Sequence, residues 1–233
     1  MGRRPGGELA SRPLHFFWIC DCSGSMQADG KIQSLNNAIK EAIPHMQKAA
    51  EENPNAEVFV RAVRFSDGAQ WHVAQATPVS DFRWSDLKAE GMTDMGKAIS
   101  IVAEQLKIPP MSERALPPIL VLVSDGQPTD DYSAAVQELL KLPWGKRAVR
   151  IAVAIGEDAD QDALRIFVAN PEIPVLRANN SETLVNYVKW ASTAVLKAAS
   201  APASQHLAGG GAAANVPVPA PPPGAPASVQ DVW

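Results

Sequence analysis

Five short apolar segments, separated by longer amphipathic stretches, constrain the fold of this chain more than any other feature. They cover Leu14–Cys20, Val58–Phe65, Ile119–Ser124, Val149–Ile155 and a shorter stretch near Pro174–Leu176. Continuous apolar runs, rather than alternating ones, are typical of strands that are buried on both faces of a parallel sheet. Strands that alternate with helices predict an α/β fold, with a doubly wound, mostly parallel sheet flanked by helices.

The stretches between these segments have helical periodicity. Apolar residues recur at three- and four-residue steps over residues 32–43, 95–106 and 184–195. Ser181 is expected to cap the last of these helices, and Pro44 is expected to kink the first. A further strand at residues 70–74 is expected to form a hairpin with Val58–Phe65 through a turn at residues 66–68.

The last 34 residues differ in composition from the rest of the chain. They contain nine alanines, seven prolines and four glycines, with Asp231 as the only charged residue. Such a segment buries too little apolar surface to offset its chain entropy, so we expect a disordered tail in which residues 216–226 sample polyproline conformations. The predicted organisation is a flexible N-terminus at residues 1–12, one domain at 13–199 and the tail at 200–233.

Charge and cysteine content narrow the classes of function. With 21 basic and 25 acidic residues, the formal net charge is −4, which gives no reason to expect binding to nucleic acid or to an anionic membrane. No segment approaches the roughly 18 apolar residues of a membrane span. Cys20 and Cys22 are too few for a disulfide framework, and the apolar run after Arg3 and Arg4 is too short and too late for a typical signal peptide. We therefore expect a cytoplasmic protein.

Three polar loops are predicted to meet at one edge of the sheet, because ligands of such sheets bind at the carboxyl ends of the strands. The first strand leads directly into Asp21, Ser23 and Ser25, and the strand Ile119–Ser124 leads into Asp125. The third loop contains Thr93 and precedes a helix. Only the fold can bring these loops together, since Asp21 and Asp125 are far apart in the chain.

The side chains of these loops favour a hard divalent cation. Mg²⁺ takes about six oxygen ligands in octahedral geometry, and Mn²⁺ or Ca²⁺ also accept oxygen ligands. The predicted metal ligands are Asp21, Ser23, Ser25, Thr93 and Asp125. Because most of these are hydroxyls, the ion keeps part of its positive charge, and an open coordination position would accept an Asp or Glu side chain of a partner protein.

The pattern Asp21-x-Ser23-x-Ser25, followed by Thr93 and Asp125, resembles the metal-ion-dependent adhesion site of von Willebrand factor A domains. Within that family, residues 21–26, 124–131 and 187–192 resemble bacterial tellurium-resistance proteins of the TerY type. The resemblance implies a Mg²⁺-dependent protein-interaction module in a stress-response system. It also implies a Ser/Thr kinase or a phosphatase as the possible partner.

Other readings of the same residues remain open. Thr93 could be a helix N-cap, and Asp94, Asp130 and Asp131 are expected to support the site or lie at the surface. Asp21 at a strand end could be the nucleophile of a metal-dependent phosphohydrolase, but Ser23 stands where such enzymes have a second aspartate, so no enzymatic activity is expected. The loops could also belong to a metal-free scaffold. Trp84 could anchor an interface or pack against the domain, and Trp233 could be a docking motif.

Overall fold

A computed structural model describes residues 11–201 and 216–224. Six strands form one sheet in the order β3-β2-β1-β4-β5-β6. They are β1 (Arg12–Asp21), β2 (Ala56–Ser66), β3 (Gly68–Pro78), β4 (Ile119–Ser124), β5 (Val149–Ile155) and β6 (Leu176–Ala178). The β2–β3 pair is antiparallel and the other pairs are parallel, which confirms the predicted fold class.

Helices cover both faces of this sheet. They are α1 (Lys31–Glu51), α2 (Met95–Gln105), α3 (Tyr132–Lys141), α4 (Pro143–Arg147), α5 (Gln161–Val168), α6 (Ser181–Trp190) and α7 (Leu196–Ser200). Short 3₁₀ turns at Gly24–Gly30 join β1 to α1, and a π-helical turn at Ala191–Val195 joins α6 to α7. The apolar side chains form two cores, one on each face, because the continuous apolar strands β1, β4 and β5 are buried on both sides.

Several boundaries differ from the predictions. Arg12 belongs to β1, where its guanidinium donates to the carbonyls of Arg114 and Ala115, so the flexible N-terminus does not extend to residue 12. The helix α1 continues through Pro44 to Glu51. The N-cap of α6 is Asn180, whose side chain accepts from the backbone N–H of Thr183, and Ser181 is the first helical residue.

The predicted tail also requires a correction. Ser200 is the buried last residue of α7, so the domain extends past the predicted boundary at residue 199. Residues 216–224 form an extended segment, and Val216 and Val218 pack against the core on the α6 face of the sheet. The expectation of disorder fails there because these two valines bury apolar surface against the domain. Trp233 and residues 1–10 lie outside the described residues.

Among the residues that the structure describes, no helix combines the length and the apolar character needed to cross a bilayer.

Candidate metal centre

The two central parallel strands bring the first and last loops together. Cys20 of β1 lies beside Val123 of β4 in the parallel register, so the next residues, Asp21 and Ser124, end their strands side by side. The chain leaves β1 toward β2 on one side, whereas β4 continues toward β5 on the other. This change of direction lies at the carboxyl ends of the strands, which is where such folds bind their ligands.

The loop after β1 folds back on its own polar side chains. The backbone N–H of Ser23 donates to Oδ1 of Asp21 at 2.8 Å, and the hydroxyls of Ser23 and Ser25 lie 2.9 Å apart. The Ser25 hydroxyl donates to Oδ1 of Asp125 at 2.7 Å, which joins the first loop to the loop after β4. Four of the five predicted ligands therefore form one hydrogen-bonded cluster.

The third loop is held to the other two mainly by its backbone. The N–H of Gly24 donates to the carbonyl of Gly91 at 2.9 Å, and the N–H of Glu90 donates to the carbonyl of Cys22 at 2.7 Å. On the other side, Thr93 and Thr129 exchange two hydrogen bonds through the N–H and carbonyl of Thr93. The N-cap of α2 is Asp94, so the alternative that Thr93 caps this helix is wrong.

Gly126 shows that Thr93 and Asp21 face the same space. A Cβ built on Gly126 would lie 3.4 Å from Oγ1 of Thr93 and 3.8 Å from Oδ2 of Asp21. Among the described residues, none forms a hydrogen bond with Oγ1 of Thr93, so its lone pairs are available to a ligand. A side chain at position 126 would fill this cradle.

Burial controls the electrostatics of the cluster. The side chain of Asp125 has no exposed surface, and Asp21 is fully buried. Burial raises the pKa of Asp21 from its ordinary 3.8 to about 6, and the negative charge of Asp125 adds to the rise, although hydrogen bonds from Ser124 and Ser23 oppose it. The Ser124 hydroxyl donates to Oδ2 of Asp21. A positive charge nearby would stabilise two buried carboxylates so close together.

Lys31, which the sequence analysis did not single out, supplies one such charge. Its ammonium group donates to Oδ2 of Asp125 at 2.8 Å, and only 12% of its side chain is exposed. Lys31 is the first residue of α1, so the turns at Gly24–Gly30 direct it back toward the strand ends. The structure thus places a cation at the carboxylates from within the chain.

These residues fit a hard divalent cation. Two carboxylates and three hydroxyls converge from three loops, and oxygen donors of this kind suit Mg²⁺ or Mn²⁺. The part of the chain that the structure describes contains no group of three or more Cys, His, Asp and Glu side chains able to hold a metal. A site here would therefore depend on hydroxyl ligands.

A second residue missed from the sequence holds the third loop in place. The fully buried side chain of Asn36 on α1 donates to the carbonyl of Leu87 at 3.0 Å and accepts from its N–H at 2.9 Å. It also accepts from the indole N–H of Trp84 at 3.0 Å. Trp84 thus packs within the domain. The sequence indicates this role only through a polar residue on the apolar face of α1.

The three other acids near the loops bind backbone N–H groups. Asp130 accepts from Gly96 and Lys97 at the start of α2, and Asp131 caps α3. Asp94 accepts from the N–H of Gly68 and pairs with the exposed ammonium of Lys97. Their carboxylates fix the loops and the helix ends around the cluster.

Comparison with known proteins identifies a family with this fold. The family model of the von Willebrand factor type A domain matches residues 17–190, which include the second half of β1, the other five strands and all three loops. The chain belongs to the von Willebrand factor type A family. Members of this family often mediate protein interactions through a divalent metal at an adhesion site. No curated protein matches the chain.

Solved structures show the same fold at low identity. A von Willebrand factor type A protein from Catenulispora acidiphila is 20% identical with a TM-score of 0.58, covering 79% of this chain and 43% of its own. The ArnB paralog VWA2 from Sulfolobus acidocaldarius is 23% identical with a TM-score of 0.58, covering 78% and 46%. Proximal thread matrix protein 1 from the mussel byssus, with zinc in its adhesion-site motif, is 19% identical with a TM-score of 0.58, covering 79% and 47%. The chain spans less than half the length of these three proteins.

Proposed function

We propose that this von Willebrand factor A domain is a Mg²⁺-dependent protein-interaction module and not an enzyme. Its metal would be held by Asp21, Ser23, Ser25, Thr93 and Asp125, with Mn²⁺ or Ca²⁺ as possible substitutes. The observation that carries the proposal is the convergence of these side chains around the cradle at Gly126, next to two buried carboxylates.

The donor set also supports a particular kind of partner. With only two carboxylates among five ligands, a divalent ion keeps a net attraction for a further anionic oxygen. An Asp or Glu side chain of a partner protein supplies both the oxygen and the charge. The ligand position would face outward, since Ser25 is exposed whereas Asp21 lies at the buried end of the cluster.

The cellular setting belongs to the same proposal. The resemblance of residues 21–26, 124–131 and 187–192 to TerY-type proteins supports a bacterial tellurium-resistance-like stress response, with a Ser/Thr kinase or a phosphatase as the partner. Cys20 and Cys22 are both buried free thiols, which is compatible with a reducing cytoplasm.

One observation favours a second candidate, a scaffold that works without metal. The ion pair between Lys31 and Asp125 already supplies a positive charge at the carboxylates. In that case the loops would hold their shape through Lys31, and Mg²⁺ would produce no heat of binding.

Calorimetry of the full chain with Mg²⁺ tests the proposal, with Asp21→Asn as the site variant and Asp81→Asn as the control. Asp81 is an exposed carboxylate in the turn after β3. We expect binding in the wild type and the control but not in Asp21→Asn. Affinity capture in Mg²⁺, repeated in EDTA and with Asp21→Ala, then tests whether a partner needs the ion. Equal capture in Mg²⁺ and EDTA would refute adhesion through the metal.

A further inference from the structure

The described part of the tail, residues 216–224, contacts the flank of α6. Val216 and Val218 pack against the core cluster to which Tyr187 and Trp190 belong. Further along, a Cβ built on Gly224 would lie 3.4 Å from the hydroxyl oxygen of Tyr187 and 3.9 Å from Cγ2 of Thr183. The segment therefore meets the domain at both of its ends.

The exposure of this segment repeats every three residues. Pro217, Ala220 and Pro223 are exposed and the four residues between them are half-buried, while Gly224 at the end of the described segment is exposed. A polyproline II helix has three residues per turn, so one of its edges faces water while the other two lie against the domain. Five of the nine residues are prolines, and each proline ring fixes φ near the value that such a helix requires.

The flank of α6 has the features of a surface that binds such a helix. Thr183 and Tyr187 are four residues apart and therefore lie on one face of α6, next to Gly224. Polyproline ligands characteristically dock on grooves lined by aromatic side chains, and little conformational entropy is lost because the ligand is already extended.

We propose that this flank is a polyproline-binding site, and that residues 216–224 of the same chain are its resident ligand. This inference is independent of the metal site. The occupant is the chain's own segment, because 14 residues, 202–215, connect it to the last described residue of the domain. Fourteen residues span at most about 46–50 Å, long enough to reach back along α6.

The tether sets how firmly the site is filled. A short linker that can span the two sites gives an effective concentration on the order of millimolar, so even a site with weak intrinsic affinity is occupied by its own tail. A proline-rich segment of another protein would bind only when its affinity and concentration together outweigh those of the tethered segment. The site would thus select against weak proline-rich competitors.

A disulfide test measures the placement directly. Thr183→Cys combined with Gly224→Cys is expected to form a disulfide within one chain under mild oxidation, since Cys20 and Cys22 are buried. Glu104→Cys combined with Gly224→Cys is the control, because Glu104 is exposed on α2, on the opposite face of the sheet. Mass spectrometry of the monomer band identifies the linked peptides.

Peptide binding tests the site without depending on a cysteine pair. In the full chain, Val216→Asp with Val218→Asp is expected to release the segment. A synthetic peptide of residues 216–224 should then bind this variant at least tenfold more tightly than it binds the wild type, as followed by NMR shifts of Tyr187 and Trp190. A disulfide between two chains, or no peptide binding to the released variant, would overturn the proposal.

Discussion

Replacing Lys31 with methionine should strengthen the binding of Mg²⁺. In the structure the Lys31 ammonium lies 2.8 Å from Oδ2 of Asp125, and the ion must compete with this charge for the same carboxylate. A hydrogen bond between charged groups contributes about 1.5–3 kcal/mol net. Methionine keeps the apolar stem and the helix propensity at the start of α1 while it removes the charge.

The size of the effect follows from this hydrogen bond. If Mg²⁺ binding breaks the Lys31–Asp125 pair, the ion no longer has to break it in the Lys31→Met variant. The dissociation constant for Mg²⁺ should then be about 10- to 100-fold smaller, because about 1.4 kcal/mol corresponds to a factor of ten. The metal-free variant should also unfold more easily, since Asp125 is left buried without its counter-charge. The gain in affinity and the loss of metal-free stability have one cause.

Calorimetry at fixed ionic strength measures the affinity, and urea unfolding in EDTA measures the stability. Lys40→Met is the matched control: Lys40 lies on the same helix and pairs with Asp86, but both side chains are nearly half exposed, at 45% and 44%. We expect the control to leave both quantities unchanged. A Lys31→Met protein that binds Mg²⁺ no more tightly than the wild type would show that the ammonium and the ion do not compete.

Three further predictions concern other parts of the domain. Asn36→Ala removes three hydrogen bonds to residues 84 and 87, so it should lower the free energy of unfolding by about 2–4 kcal/mol. It should also weaken Mg²⁺ binding, because these bonds hold the third loop in place. Unchanged urea unfolding would contradict this prediction. Gly126→Val should weaken Mg²⁺ binding at least tenfold with little loss of stability. If calorimetry gives the wild-type affinity for this variant, the ion does not bind in the cradle. Burial, and then the charge of Arg61, lower the pKa of His15 from 6.5 to about 4. As the pH falls from 6.5 to 4, the unfolded chain therefore takes up a proton before the folded chain does, and the wild type loses stability. His15→Phe should abolish this loss. The wild type should lose about 2–3 kcal/mol across that range relative to the variant, and parallel stability curves in urea would contradict this assignment.

Much of the fold could be predicted because its central strands are continuous apolar runs. The strands β4 and β5 match the predicted segments, and β1 and β2 extend them by one or two residues at each end. The strand β6 is only three residues long and starts at Leu176, so its position could not be read from so short a pattern. Asn180 and Ser181 are both good N-caps, and the sequence alone could not choose between them.

The site was predictable to the extent that its residues follow strand ends directly. Asp21, Ser23, Ser25 and Asp125 come from two adjacent parallel strands, and this adjacency follows from the fold class. Lys31 was missed because its partner is 94 residues away, and only the turns at Gly24–Gly30 direct its side chain toward that partner. Asn36 was missed because its hydrogen bonds join α1 to a loop without secondary structure.

Crystals grown in Mn²⁺ and measured at the manganese absorption edge provide the most direct test of the metal centre. We expect one strong anomalous peak about 2.1 Å from the side-chain oxygens of the five predicted ligands, Asp21, Ser23, Ser25, Thr93 and Asp125, with the Lys31 ammonium moved away from Asp125. An absence of anomalous signal between the three loops, with Lys31 still bound to Asp125, would contradict the account.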